Sequence, residues 1–119
     1  CLALAAQCGV HAYAHITGGG LAANLARVLP PGTGAIVDRG TWRPAAIFGL
    51  LAGHGGIAEA ELERVLNMGV GMVAVTAADD ADRAVRLLMD RGIAAWRAGE
   101  VTSDAEDVRL VGAYRSAGI

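Results

Sequence analysis

Three consecutive glycines that follow a threonine form the feature of the sequence best suited to binding an anion. Residues 17–20 read TGGG and lie between a predicted strand and a predicted helix. Glycines let the backbone approach a ligand closely, and the start of the helix offers unpaired N–H groups and the positive end of its dipole. The candidate phosphate-binding residues are Thr17, Gly18, Gly19 and Gly20. The alternative is a tight turn in which Thr17 caps the helix without any ligand.

His15 precedes the glycines by two residues, at the C-terminal end of the predicted strand. Ligands of open α/β sheets bind at that edge of the sheet. A histidine there can donate a hydrogen bond to an oxyanion or exchange a proton near neutral pH. His15 is therefore the candidate catalytic residue, and a structural histidine bonded to the backbone is the alternative.

Asn24 and Arg27 follow the glycines on the predicted helix. They are three residues apart, so they share one face of that helix. The planar guanidinium of Arg27 can bind a phosphate through its fork of donors. Both residues are therefore candidate phosphate-binding residues, and for Arg27 an ordinary surface arginine is the alternative.

The composition limits the classes of protein to which the chain can belong. Its 119 residues and 12.1 kDa fit one domain, and its net charge of −2 offers no basic surface for nucleic acid. All ten basic residues are arginine, so a phosphate-loop lysine, a Schiff-base lysine and a lysine general base are excluded within this chain. No apolar run approaches the roughly 20 residues that span a membrane. Because the chain begins with Cys1, we expect a piece of a longer protein.

The two cysteines are expected to be free thiols. Cys1 and Cys8 are seven residues apart in a predicted helix, which separates their Cα atoms by about 10 Å, too far for a relaxed disulfide. A chain with two free cysteines and no extracellular signal is typical of the cytosol. The three histidines join the cysteines in no standard ligand spacing, so no metal site is predicted.

Hydrophobic periodicity predicts alternating helices and strands within one domain, residues 1–119. The predicted class is α/β of the layered α+β type, with a mixed sheet covered by helices and partly ferredoxin-like topology. The 69–76 segment is predicted to be a strand buried on both faces. Residues predicted to lie in the core are Trp42, Met68, Met72 and Trp96. The predicted helices are 1–8, 21–29, 44–51, 58–67 and the segment between Asp79 or Asp80 and Gly92; the predicted strands are 10–16, 34–38, 69–76, 93–101 and 107–112.

Two further segments are predicted to be irregular. The acidic residues Asp104, Glu106 and Asp107 are expected to form a solvated turn, because their spacing does not match a calcium loop. The tail after Ala113 is expected to be frayed.

Five segments, in this order and spacing, resemble the C-terminal part of the phosphoribosylformylglycinamidine cyclo-ligase (AIR synthetase) family. Each motif alone is weak, and the resemblance depends on all five in register over roughly residues 9–102. They are His15–Leu21 (HITGGGL), 24–30 (NLARVLP), 42–48 (WRPAAIF), 67–72 (NMGVGM) and 95–99 (AWRAG).

The resemblance implies an enzyme of de novo purine synthesis. Members of the family use ATP and Mg²⁺ to activate the formyl oxygen of formylglycinamidine ribonucleotide, and the ring closes to give aminoimidazole ribonucleotide. The resemblance also implies a cytoplasmic homodimer for the full-length enzyme, with no nucleic-acid or membrane partner. ATP and Mg²⁺ would be bound mainly by an N-terminal domain that is absent from this sequence.

The chain is therefore expected to be a shortened C-terminal domain that forms one wall of the site and is inactive alone. The family's Ser-Gly-Leu-His-Ser-Asn-Gly-like stretch is missing, and Ala26 stands where proline is common. Whether the glycine turn contacts the phosphate of ATP or that of the substrate stays open. Two rival functions also stay open: a small-molecule-binding regulatory domain of ferredoxin-like topology, and another superfamily enzyme such as selenophosphate synthetase or thiamine-monophosphate kinase.

Overall fold

A computed structural model describes residues 1–103 and 106–116. Asp104 of the predicted acidic turn and residues 117–119 of the predicted frayed tail lie outside the described residues. The helices are α1 (Leu2–Gln7), α2 (Gly20–Ala26), α3 (Ala46–Gly55), α4 (Glu59–Val65) and α5 (Ala81–Asp90). The strands are β1 (Val10–His15), β2 (Gly34–Asp38), β3 (Met72–Thr76), β4 (Gly99–Thr102) and β5 (Val108–Val111). Short 3₁₀ turns follow β2 and β3 at Arg39–Thr41 and Ala78–Asp80.

The described strands form two sheets. β1 pairs with β3 in an antiparallel ladder, in which His15 lies opposite Met72. β2 is the central strand of the second sheet, antiparallel to β4 and parallel to β5. The predicted mixed α+β class is confirmed, and the mixed sheet is the one built around β2.

The larger hydrophobic core joins both sheets to α2. Its buried residues come from β1, α2, β2 and the segments beside them: Ala14, Ile16, Leu21, Leu25, Ala35, Val37, Trp42 and Val70. A smaller cluster of Leu4, Cys8 and Ala84 packs α1 against α5. Because α2 buries Leu21 and Leu25 between the two sheets, the TGGG turn at its start is anchored in the larger core.

The prediction of a strand over 69–76 that is buried on both faces is wrong. Pairing begins only at Met72, because a turn precedes the strand, with Met68 at φ 51° and Gly69 at φ 92°. β3 has β1 as its only partner among the described strands, and Met72 is 47% exposed instead of lying in the core. Met68 is buried, as predicted.

The strand predicted over 93–101 and the helix predicted over 21–29 are shorter in the structure. The predicted strand 93–101 pairs only over Gly99–Thr102, because the residues before it pack against the core instead of forming a ladder. The ring of Trp96 lies 6.0 Å from that of the buried Trp42, so both tryptophans serve as packing residues. α2 ends at Ala26, before Leu29. A helix rarely extends up to a proline, and Pro30 follows directly.

Candidate functional site

The TGGG turn joins the buried end of β1 to α2. Ile16 is buried directly after β1, and its N–H donates to the carbonyl of Gly71 at 3.0 Å. Gly19 and Gly20 have φ of 101° and 79°, in the left-handed region that favours glycine. The helix cap is Gly19, with no side-chain cap bond, so the capping role of Thr17 in the alternative without a ligand is wrong.

Asn24 holds the turn from inside the protein. Its side chain is 6% exposed, and its Nδ2 donates to the carbonyls of Thr17, Gly18 and Gly20 at 3.2, 3.4 and 2.7 Å. The two hydrogens of this amide are thus shared among three backbone oxygens. Asn24 was predicted to bind phosphate directly, and the structure places its donor group on the turn itself.

The same contacts direct the N–H groups of the turn outward. In a trans peptide the carbonyl and the N–H point in opposite directions, and the described chain has no cis peptide. Because the carbonyls of Thr17 and Gly18 converge on the buried Asn24, the N–H groups of Gly18 and Gly19 point away from it. Neither N–H has an acceptor among the described residues. Successive N–H groups arranged in this way form a concavity that binds anions.

Arg27 lies beside this pair of N–H groups. Its Nη1 donates to Oδ1 of Asn24 at 3.1 Å, which confirms that the two residues share a face. Its Nη2 lies 3.9 Å from the position that a Cβ on Gly19 would occupy. The residue is exposed, and its Nε and Nη2 have no acceptor in the part of the chain that the structure describes. One guanidinium edge is therefore available next to the turn.

His15 lies at the end of β1, on the solvent side. Successive side chains of a strand alternate between faces, so the exposed His15 lies on the face opposite the buried Ala14. Its ring makes no hydrogen bond within residues 1–103 and 106–116. The structure thus brings the predicted site residues together around the start of α2, with Gly20 and Asn24 buried and His15, Thr17, Gly18 and Arg27 exposed.

A cavity of about 290 Å³ is lined by Gly19 of the turn and by residues of α2 and α4. Its lining includes Gly19, two alanines of α2, Arg39 and Glu63. At Gly20 the two helices touch, because an added Cβ would overlap the backbone carbonyl of Glu63. Gly20 is therefore required by packing, apart from any ligand.

An ion-pair network fixes the side of α4 that faces this cavity. Arg39 binds both carboxylate oxygens of Glu63, with Nε–Oε1 at 2.6 Å and Nη2–Oε2 at 2.9 Å. Its Nη1 donates to the carbonyls of Leu110 and Gly112 at 2.7 and 3.1 Å. The hydroxyl of Tyr114 donates to Oε1 of Glu63 at 2.7 Å. The three side chains are largely buried and use nearly all their polar atoms on one another and on the backbone.

The network keeps its groups in their usual charge states. The hydrogen bonds from Arg39 hold the pKa of Glu63 below its ordinary value, and the same bonds raise the pKa of Arg39 further. Burial, and then the hydrogen bond to Glu63, raises the pKa of Tyr114. At neutral pH the carboxylate therefore accepts, and the guanidinium and the phenol donate.

Sequence reasoning missed this network. Arg39 and Glu63 are 24 residues apart, and Tyr114 is 51 residues beyond Glu63. No helix or strand spacing joins residues at such distances. They become neighbours because β5 pairs beside β2 and α4 packs close to both.

The described residues contain no group of three or more His, Cys, Asp or Glu side chains that could hold a metal ion. Among those residues, no helix is long and apolar enough to cross a membrane. Both cysteines are free thiols, as expected. The candidate site is thus a set of N–H and guanidinium donors, which suits an anion better than a cation.

Comparison with known proteins identifies the family of the chain. Residues 1–111 match the family described as AIR synthase related protein, C-terminal domain. A protein of Streptomyces fradiae, provisionally named phosphoribosylformylglycinamidine cyclo-ligase, is 54% identical over 120 aligned residues. The alignment covers 96% of this chain and 66% of that relative, so the chain spans less than two thirds of the relative's length. The chain belongs to the AIR synthase related protein family, as its C-terminal domain.

Proposed function

We propose that the chain is the C-terminal domain of an ATP-dependent phosphoribosylformylglycinamidine cyclo-ligase and that its glycine turn binds a phosphate group of a nucleotide substrate. One observation supports the phosphate site above all. The N–H groups of Gly18 and Gly19 point outward with no acceptor among the described residues, because Asn24 binds the carbonyls of the same two peptides. The Arg27 guanidinium beside them adds a positive charge, since Arg27 takes part in neither ion pair of α4.

Preorganisation is the main physical argument for binding. Donors that already point at the place of a negative charge need no rearrangement when the charge arrives. The turn has this property, since its orientation comes from the buried Asn24 rather than from a ligand. Phosphate oxygens are the acceptors that such backbone donors and an arginine fork bind best.

His15 is proposed to orient the bound group or to handle a proton beside it. His15 is exposed and precedes Thr17 by two residues, at the edge of the turn. An imidazole that no other group engages can donate to an oxyanion or accept a proton. The Thr17 hydroxyl donates to Oδ1 of Asn24 at 3.5 Å, which keeps this side chain beside the turn.

ATP and Mg²⁺ place different demands on the chain. When bound in the complete enzyme, ATP supplies the phosphoryl group that activates the formyl oxygen for ring closure. The glycine turn fits a phosphate of either ATP or formylglycinamidine ribonucleotide. The described residues do not fit Mg²⁺, since they gather no three side chains of the kind that bind it. We therefore propose that metal binding belongs to other parts of a homodimeric, cytoplasmic enzyme.

A titration with inorganic phosphate tests the phosphate site. The amide signals of Gly18 and Gly19 in the ¹⁵N-labelled chain should move in a saturable way, and chloride at equal ionic strength should not move them. If phosphate moves only signals remote from the turn, the proposed site is wrong.

An activity assay tests the proposal that the chain is inactive alone. The chain lacks lysine and supplies donors rather than metal ligands, so we expect no ATP-dependent formation of aminoimidazole ribonucleotide. Activity should appear when an N-terminal ATP-binding half of a cyclo-ligase is added. Steady turnover by the 119-residue chain on its own would refute this part of the proposal.

A further inference from the structure

The residue of α4 that touches the glycine turn is also the residue that the ion-pair network holds. An added Cβ at Gly20 would overlap the backbone carbonyl of Glu63, and Leu66 O also lies within 3.4 Å of it. The Glu63 side chain meanwhile binds Arg39 through both carboxylate oxygens. Any displacement of Glu63 would therefore move the surface against which Gly20 packs.

The network ties this point of α4 to the three-stranded sheet. Arg39 follows directly after β2, and its Nη1 binds carbonyls at the end of β5. A second contact comes from Tyr114, whose ring lies 5.2 Å from that of the buried Trp42 in an edge-on arrangement. Glu63 is thus fixed from two sides, by a guanidinium that the sheet holds and by a phenol that the core holds.

We propose that Arg39, Glu63 and Tyr114 are positioning residues for the glycine turn. Asn24 sets the direction of the turn's N–H groups from within, and the network sets where the turn lies by fixing Glu63 against Gly20. The three residues are not proposed to touch the ligand, because their polar atoms already bind one another and the backbone. The effect on ligand binding rests on the proposed phosphate site, whereas the effect on the position of the turn does not.

The same helix contains a matched control. Glu61 and Arg64 form an exposed ion pair within one turn of α4, at 2.9 Å. Replacing Glu61 by glutamine removes one carboxylate from α4, as the same replacement of Glu63 does. Only Glu63, however, connects α4 to the sheet and touches Gly20.

The experiment compares Glu63→Gln with Glu61→Gln in the ¹⁵N-labelled 119-residue chain. The readouts are the amide signals of Gly18 and Gly19 in the free chain and their titration with inorganic phosphate. We expect Glu63→Gln to move both signals and to weaken phosphate binding about fivefold, the effect of one lost hydrogen bond. Glu61→Gln should change neither readout.

Tyr114→Phe keeps the test decisive if Glu63→Gln does not fold. It removes a single hydroxyl without altering any charge, so the turn signals should move in the same direction by a smaller amount. Variants that unfold at a lower temperature while the Gly18 and Gly19 signals stay in place would overturn the inference, since a purely structural network has that effect. Equal shifts from Glu61→Gln would overturn it too. If the variants move the Gly18 and Gly19 signals but the unmodified chain binds no phosphate, the positioning role is supported and the proposed phosphate site is wrong.

Discussion

The glycine turn and α3 are both rich in glycine, but the rest of the protein holds them in opposite ways. The turn is fixed by a buried amide, by the contact of Gly20 with α4 and by the core residues of α2. α3 is apolar over most of its length, yet none of its residues is buried, and Leu50 is 54% exposed. Added Cβ atoms at Gly49 and Gly53 would meet nothing within 4 Å.

This difference shows that glycine content and apolar content do not by themselves identify a tightly held segment. In the turn, the carbonyls of Gly18 and Gly20 accept hydrogen bonds from Asn24, and Gly20 packs against Glu63. In α3, Ile47, Leu50 and Leu51 are exposed, and Gly49 and Gly53 face open space. The contrast predicts which substitutions the chain will not tolerate.

The largest effect is expected from Gly20→Ala. The new methyl group would overlap the Glu63 carbonyl, and alanine would be strained at a φ of 79°. Overpacking and backbone strain together should lower the free energy of unfolding by about 4 kcal/mol. Urea unfolding monitored by circular dichroism measures the change.

Gly49→Ala in α3 is the matched control for that prediction. Gly49 lies inside a helix with open space around it, so alanine should raise the free energy of unfolding by about 1 kcal/mol. If Gly20→Ala lowers the free energy of unfolding and Gly49→Ala raises it, the result supports the difference between the turn and α3. A similar loss at both positions would show that α3 is held as tightly as the turn.

Asn24→Ala should have the next largest effect. The substitution leaves the carbonyls of Thr17, Gly18 and Gly20 without their shared donor in a buried site. Unsatisfied buried groups should lower the free energy of unfolding by about 2 to 3 kcal/mol, and phosphate should no longer move the turn signals.

Asn67→Ala provides the comparison for Asn24. Asn67 accepts one exposed bond from the N–H of Gly69 at 2.9 Å, so its loss should cost about 0.5 kcal/mol. The hypothesis that Asn24 orients the turn fails if Asn24→Ala is as mild as Asn67→Ala.

Local patterns in the sequence predicted the parts of the site that lie close together along the chain. The glycines, His15, Asn24 and Arg27 lie within 13 residues, where strand alternation and helix spacing decide which side chains are neighbours. Those rules cannot join Arg39 to Glu63, since their contact depends on how β2, β5 and α4 meet. The buried role of Asn24 also depends on packing, because spacing places a residue on a face without telling whether that face is covered.

The same limit explains the errors in the fold. An apolar run such as 69–76 predicts burial on both faces only if other elements cover both, and Met72 shows that one end of β3 is open. Residues 93–98 contain apolar side chains that pack without forming a ladder. Periodicity detects apolar side chains but does not distinguish pairing from packing.

Acid should weaken the Glu63 network, and this should lower the free energy of unfolding by less than Gly20→Ala or Asn24→Ala does. Arg39 lowers the pKa of Glu63 in the folded chain, so folding is stabilised above the ordinary glutamate pKa of about 4.3. That stabilisation is lost as the pH falls through the lower folded-state pKa. Glu63→Gln should lower the free energy of unfolding by about 2 kcal/mol at neutral pH. The difference in this free energy between the variant and the unmodified chain should become smaller below about pH 4.3.

Urea unfolding of both chains across that pH range measures the change, with Glu61→Gln as the control. Glu61 is exposed, so its variant should follow the unmodified chain. A difference between Glu63→Gln and the unmodified chain that stays constant with pH would show that Glu63 does not act through its charge.

The smallest effect, about fivefold in affinity for inorganic phosphate, is expected from Arg27→Gln. Arg27 is bonded to Asn24 and lies beside Gly19, whereas Arg64 lines the cavity against α4. If the N–H groups that point away from Asn24 bind the anion beside Arg27, then Arg64→Gln should leave the affinity unchanged. If Arg64→Gln lowers the affinity and Arg27→Gln leaves it unchanged, the anion binds in the cavity. The turn would then bind its ligand on the face that α4 and the Glu63 network shape, and Arg27 would be an ordinary surface arginine.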